Sequence, residues 1–227
     1  MSASRRAVAL LSGGMDSATA AAIVKADGYE VHALAVDYGQ RHVVELDAAR
    51  AVAASLALAS FRVVKVDLAA LGGSALTDDV EVPKDRDEGA IGADIPVTYV
   101  PARNTVFLAV ALAAAEVLDA DAVVLGVNAL DYSGYPDCRP AFLEAFREVA
   151  AQGTKRGVEG RPTQILAPLL EMTKADIVRA GVAHDVPLGR TLSCYDPTPG
   201  GRACGHCDAC HLRARGFAEA GLQDPSA

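Results

Sequence analysis

Short apolar runs alternate with longer amphipathic or alanine-rich segments along this chain of 227 residues. Residues 7–11, 31–36, 62–66 and 122–126 have strand length and strand composition, and a weaker fifth run lies at 164–166. Helical patterns fill the spaces between, at 16–27, 42–58, 102–118, 140–153 and 173–183. Strands that alternate with helices in this way predict a parallel sheet with crossover helices, an α/β fold of the Rossmann-like open type. Several stops have a physical cause. Gly28 sits just past the first helix, where a left-handed residue closes a C-terminus. Thr173 is placed to N-cap the helix after it, and Asp176 stands three residues on as an approximate capping box. Two stretches break the pattern. Residues 69–101 carry Gly, Pro and a charged run at 83–88. A loop of that length is commonly functional or mobile, and a solvated insertion is the plainer alternative. From Gly189 onward Cys, Gly, Pro and Asp accumulate, and regular structure resumes only near 208–220. The expected organisation is an α/β domain over 1–188 and a separate C-terminal segment over 189–227.

The first strand runs into Ser12-Gly13-Gly14-Met15-Asp16-Ser17, and a helix follows. Two glycines permit a tight or left-handed backbone that can approach a ligand. Backbone N–H groups then open a helix whose dipole favours anions. Ser12 and Ser17 add hydroxyls. Asp16 would repel a bare phosphate, so its presence points to a bridging Mg²⁺. No lysine follows the glycines as in a Walker loop, and the spacing is not that of a dinucleotide fold. The hexapeptide resembles the SGGxDS signature of the PP-loop ATP pyrophosphatases, which spend ATP to activate a carbonyl or carboxylate oxygen.

Charge narrows the partners. The net charge is −8, which disfavours direct nucleic-acid binding and favours small-molecule substrates. Apolar residues make up 51% of the chain, aromatics only 5%, so alanine-faced helices are expected to pack closely on the sheet. The apolar run near the start is too short for a signal peptide, and 106–115 is too short to span a bilayer. The expectation is a cytoplasmic protein with no membrane segment.

Four of the five cysteines lie close together, Cys194, Cys204, Cys207 and Cys210, in the spacing C-x9-C-x2-C-x2-C. A reducing compartment makes a metal the better reading than disulfides, and four thiolates suit structural Zn²⁺. The same spacing serves iron–sulfur clusters, and His206 or His211 could replace one cysteine. Cys138 stands apart, as a small buried or site-lining residue or as the one thiol free for chemistry.

Three further segments fall where strands end or helices begin: Asp37-Tyr38-Gly39-Gln40-Arg41, Pro101-Ala102-Arg103-Asn104, and the loop from Asp131 to Arg139. In an open parallel sheet such segments converge on the ligand. The loop holds Asp131, Tyr132, Tyr135, Asp137 and Arg139, aromatic faces and acidic acceptors suited to a guanine-like base.

SGGMDS at 12–17, DYGQRH at 37–42, PARNT at 101–105, GVNALDYSGYPDCR at 126–139 and SCYDP with ACGHCDACHLRA at 193–214 stand in one order. Together they resemble the 7-cyano-7-deazaguanine synthase family of the queuosine pathway. The resemblance implies an adenine nucleotide alpha hydrolase-like fold and an ATP-dependent ligase. Its substrates would be 7-carboxy-7-deazaguanine, ammonia and ATP, and its product the nitrile, reached through an activated carboxylate and an amide. Mg²⁺ and Zn²⁺ would be bound, and a homodimer is what the family suggests. Carried over residue by residue, Leu11, Ser12, Gly13, Gly14, Met15, Asp16, Ser17 and Asp37 would hold ATP. Tyr38, Gln40, Asp131, Tyr132, Tyr135, Asp137 and Arg139 would hold the deazaguanine. Asp16, Ser17, Arg103, Asn104 and Lys174 would do the catalytic work, although Arg103 and Asn104 also suit a plain helix start, and Lys174 a plain surface position. Two other readings remain open: a different PP-loop enzyme, and a nucleotide sensor without turnover.

Overall fold

The computed structural model describes residues 4–41, 44–87, 94–128 and 134–226. Strands β1 (Arg6–Leu10), β2 (Glu30–Asp37), β3 (Ser60–Lys65), β4 (Ala122–Val124) and β5 (Gln164–Leu166) form one sheet in the order β3-β2-β1-β4-β5. Every pairing in it is parallel. The helices are α1 (Met15–Ala26), α2 (Val44–Ser55), α3 (Arg103–Leu118), α4 (Pro140–Gly153), α5 (Lys155–Val158), α6 (Lys174–Ala183) and α7 (Asp208–Ala220). The open parallel sheet and the five expected helices therefore stand, four of them as crossovers between strands and α6 after the last strand. The short α5 has no periodic signal in the sequence. It forms because the Thr154 side chain accepts the Gly157 N–H and caps a single turn.

The period of two along each central strand divides its side chains between two cores. Ala7, Ala9, Val31, Ala33, Ala35, Ala122 and Val124 face one layer, with α1, α2, α6 and α7. Val8, Leu34, Val123 and Leu125 face the other, with α3 and α4. The run of buried alanines in α1, Ala18 and Ala20 to Ala22, lets that helix lie close on the sheet. Gly28 has φ +87° just past α1. The Thr173 capping box is complete, with the Asp176 carboxylate answering the Thr173 N–H.

The strand order reverses between β1 and β4, and the crevice at the carboxyl ends of those strands is where such sheets bind ligands. Gly126, two residues past β4, fits there because a Cβ would lie 2.7 Å from both the backbone N and the Cα of Ser17. The start of α1 is thereby pressed against the exit of β4.

A third core joins the 69–101 stretch to the C-terminal segment: Leu68, Leu76, Val82 and Val100 pack with Tyr38, Cys194, Cys207 and Cys210. The charged run is only partly solvated. Lys84 bridges to Cys207 in antiparallel fashion and pairs with Asp196 at 3.0 Å, while Arg86 holds Asp208 at 2.9 Å. Among the described residues no helix is long and apolar enough to cross a membrane.

Candidate active site

The glycine loop is held by its own serines. The Ser12 N–H donates to Ser17 Oγ at 3.2 Å, the two hydroxyls are 3.0 Å apart, and Ser17 Oγ donates to the Gly14 carbonyl at 3.1 Å. Gly13 has φ +84°, and a Cβ there would stand 2.5 Å from the Glu45 carbonyl oxygen. Only glycine meets both demands. The C-terminal segment ties down the other side, where the Met15 N–H donates to Ser193 Oγ at 3.1 Å and the Leu192 N–H to the Gly13 carbonyl at 2.9 Å. The loop therefore presents the first turn of α1 to the crevice, an anion-binding arrangement. Asp16, in that turn, accepts a 2.8 Å hydrogen bond from Lys174 Nζ. Lys174 is 3% exposed, which rules out the surface position that the sequence left open.

These groups line a cavity of about 240 Å³, near the small end of ligand pockets. Tyr38, Gln40, Glu45, Arg103, Asn104, Tyr135 and Cys138 complete its walls. Arg103 opens α3 behind Ala102, which adopts a left-handed φ of +53°. Burial disfavours the Arg103 charge, yet Tyr38, Tyr135, Cys138 and Tyr195 around it hold its pKa above the ordinary value. Among the described residues it makes no ion pair with a carboxylate; it hydrogen-bonds the Tyr38 hydroxyl, and the Glu45 carboxyl feels its charge. Asn104 sets the adjoining loop. Its N–H donates to Asp137 Oδ2 at 2.9 Å and its amide to the Asp137 carbonyl and to Cys138 Sγ, each at 3.2 Å. Burial, reinforced by Asp137, pushes the Cys138 thiol up to about 12, so it is no thiolate at neutral pH. The Tyr135 hydroxyl lies 2.9 Å from Thr98 Oγ1 and 3.3 Å from the Tyr195 hydroxyl. Burial likewise raises Tyr38 to about 12. Burial raises Glu45, in the first turn of α2, to about 7, against the opposing pull of Arg103.

Beside this cavity the sulfurs of Cys194, Cys204, Cys207 and Cys210 all lie within 4.8 Å of one another. The pairs Cys207–Cys210, Cys204–Cys210 and Cys194–Cys207 stand at 3.5, 3.9 and 4.0 Å. A tetrahedron with zinc–sulfur bonds of about 2.3 Å has edges of about 3.8 Å, so the donors fit that ion. Hydrogen bonds from Cys194 and Cys210 lower the Cys207 pKa and favour its thiolate. Backbone N–H groups of Tyr195, Cys204 and His206 donate to these sulfurs at 3.4, 3.2 and 3.4 Å, as at metal-thiolate sites. His206 and His211 turn away to Asp85, at 3.0 and 3.3 Å.

Residues 6–221 match the model of the family described as "Queuosine biosynthesis protein QueC". The chain belongs to the QueC family. A 7-cyano-7-deazaguanine synthase of Anaeromyxobacter dehalogenans is 62% identical over 226 residues, 99% of this chain and 96% of that protein. One of Myxococcus xanthus is 57% identical over 222 residues, 98% of this chain and 96% of that protein. Among solved structures, NMN synthetase from Francisella tularensis superposes with a TM-score of 0.50 at 17% identity, over 98% of this chain and 79% of that one. A predicted subunit of tRNA methyltransferase from Methanocaldococcus jannaschii gives 0.50 at 18% identity, over 78% and 74%. Those two share the fold alone.

Within this QueC-family site, Leu11, Ser12, Gly14, Met15, Asp16, Ser17, Tyr38, Gln40, Arg103, Asn104, Tyr135 and Lys174 line one cavity. Gly13 faces α2 instead and sets the loop's shape. Asp37 does not line the cavity; it pairs with Lys65 at 3.6 Å on the neighbouring strand and accepts the Gly39 N–H at 3.4 Å. Asp137 is buried behind the wall as the partner of Asn104. Arg139 is exposed at the N-cap of α4 and does not line the cavity. Asp131 and Tyr132 lie outside the described residues. Several polar lining groups were not among the predicted site residues: Glu45, Asn128, Ser193, Tyr195 and Arg213. Glu45 sits three residues past the DYGQRH motif, where an acidic first turn of a helix looks ordinary. Tyr195 sits beside Cys194, inside the metal motif.

Proposed function

We propose that this enzyme converts 7-carboxy-7-deazaguanine and ammonia to 7-cyano-7-deazaguanine at the expense of ATP, through an activated carboxylate and then an amide. The observation that carries this reading is the cation of Arg103, which makes no ion pair with a carboxylate among the described residues and lies in the same cavity as the glycine loop. A carboxylate accepts no amine until one oxygen becomes a leaving group. Ser12, Gly14, Asp16 and Ser17 would hold the ATP phosphates at the start of α1, with Gly13 shaping the loop. Arg103 would hold the substrate carboxylate and then the oxyanion as each tetrahedral or imidate species forms. Lys174 would keep Asp16 in place or reach a phosphate. Tyr38, Gln40 and Tyr135 would wall the deazaguanine, with Asn104 and Asp137 fixing that wall, and Asp131, Tyr132, Asp37 and Arg139 are assigned by family resemblance alone.

Mg²⁺ bound at Asp16 would screen the phosphates. Zn²⁺ held by Cys194, Cys204, Cys207 and Cys210 would build the segment 189–227 as a unit against the α/β domain of 1–188, and through Leu192 and Ser193 would brace the glycine loop. A homodimer in the cytoplasm, acting on small molecules and not directly on nucleic acid, completes the reading. The test is turnover of purified zinc-loaded protein with 7-carboxy-7-deazaguanine, ATP, Mg²⁺ and ammonium, read by mass spectrometry. A nitrile is expected. Amide alone would move the chain to a ligase with another end product, and no consumption of either substrate would refute the proposal.

A further inference from the structure

We infer that Glu45 is the base that takes the proton from ammonia as its nitrogen adds to the activated acyl carbon. This rests on the ligase reading above. A nitrogen that enters as ammonia and leaves as a nitrile gives up all its hydrogens, so the site needs a group that accepts protons beside the acyl carbon.

Position is the first support. The Glu45 carbonyl packs on Gly13, so the first turn of α2 is fixed against the glycine loop, and Glu45 lines the cavity that the loop opens on. Elimination is the second. Among the described residues Asp16 and Glu45 are the carboxylates that line the cavity. Asp16 is taken by Lys174 at 2.8 Å, whereas Glu45 makes no hydrogen bond or ion pair among the described residues. Tyr38 and Cys138 are pushed up to about 12 and hold their protons at neutral pH. The third support is the charge around it. Arg103 from α3 and the Tyr38 hydroxyl from the loop after β2 interact with it electrostatically, and the Asp16–Lys174 pair and Arg213 line the same cavity. A carboxylate titrating at about 7 is near the optimum for a general base at neutral pH.

The step balances without a further reactant. The ammonia nitrogen forms a bond to the acyl carbon, and the carbonyl π pair moves onto oxygen beside Arg103. One N–H proton passes to the Glu45 carboxylate, and collapse of the oxyanion expels the phosphate-bearing oxygen to leave the amide. Glu45 returns its proton to solvent. After the amide oxygen is activated in turn, two more protons leave the same nitrogen while the C–O bond breaks and the nitrile forms.

The variant Glu45→Gln tests this when ammonia is compared with hydroxylamine at equal ATP, Mg²⁺ and carboxylate substrate. Hydroxylamine is the less basic amine and captures activated acyl groups without help from a base. With ammonia the variant is expected to lose about 100-fold or more in turnover, the usual worth of general base catalysis. Hydroxamate formation should fall less than about tenfold, and the rise of kcat/KM through pH about 7, expressed against free ammonia, should vanish. Equal losses with both amines would assign Glu45 to the architecture, and a wild-type rate with ammonia would overturn the inference outright. Wild-type protein that captures neither amine would refute the ligase reading itself, a result distinguishable from either.

Discussion

Replacing Lys174 with Met would test whether its pair with Asp16 holds the glycine loop together. The ammonium is 2.8 Å from Asp16 and its side chain is 3% exposed, so it has left water almost entirely. The stem is packed too: a Cβ on Gly216 of α7 would come within 2.4 Å of Lys174 Cγ. Methionine keeps that volume and removes the charge. Breaking a buried pair from one side costs about 3–5 kcal/mol, because the abandoned partner stays desolvated. The Asp16 side chain retains 23% exposure, so water recovers part of that, and about 2–3 kcal/mol is expected. At about 2–4 °C per kcal/mol for a chain of this size, Tm should fall by about 5–10 °C. Urea melts of the wild type, K174M, D16N and the double variant complete a cycle. The double variant should be more stable than the sum of the singles predicts, by at least about 1 kcal/mol. Turnover should fall steeply in both single variants. A K174M protein within about 0.5 kcal/mol of wild type with additive singles would refute the argument, and the pair would be a by-product of packing.

Three other expectations follow from the same geometry. Gly126→Ala would place a methyl 2.7 Å from the backbone of Ser17, which cannot yield without moving α1; a cost of about 1–3 kcal/mol by urea melt and a loss of ATP affinity by calorimetry are expected. Glu45→Gln should stabilise the protein at high pH only. The folded pKa of about 7 lies above the ordinary carboxylate value of 4.5, so wild-type stability falls as pH rises from that ordinary range through about 7. The gap by thermal melt should approach about 3 kcal/mol at pH 8 and close by pH 4, and a gap independent of pH would contradict the shift. Elemental analysis should find one zinc per chain, and Cys207→Ser should lose the metal and expose the 189–227 segment to limited proteolysis.

The sheet could be read from the sequence because each strand carries its own signal. Residues 7–11, and 31–36 apart from His32, are apolar on both faces, as strands buried on both sides are. The glycine loop was legible for the same local reason, since two glycines, two serines and an aspartate fit few backbone shapes. Glu45 was not legible, and Lys174 was legible as a candidate but not as buried. Their surroundings come from partners 58 and 158 residues away, and nothing local marks a helix-start glutamate or lysine as buried. Asp37 shows the opposite case: its strand-end position suggests the ligand, and the parallel neighbour β3 sets Lys65 in direct register with it. The 83–88 run looked solvated because its charges are dense, and only the fold reveals that Lys84 and Arg86 are strapped to the cysteine segment.

The costs in this molecule gather on one cavity. Ala102 adopts a left-handed backbone, Arg103 keeps its charge with no ion-paired carboxylate among the described residues, and Glu45 is half-buried against its ordinary ionisation. A ligand that brings negative charge to Arg103 would neutralise that cation, and that has a consequence for Glu45. A free carboxylate beside Arg103 would compete for the cation that now lowers the Glu45 pKa, so binding should raise that pKa further and draw a proton from solution. Activation removes the substrate's negative charge at that oxygen, returns Arg103 to Glu45 and frees the base for the step in which ammonia attacks. Calorimetry in buffers of different ionisation enthalpy reads the first half of this exchange. Near pH 7 the carboxylate substrate should bind wild-type protein with uptake of a fraction of a proton, and Glu45→Gln should bind with none. Equal proton uptake in both proteins would place the titrating group elsewhere and leave Arg103 without the carboxylate rivalry argued for it.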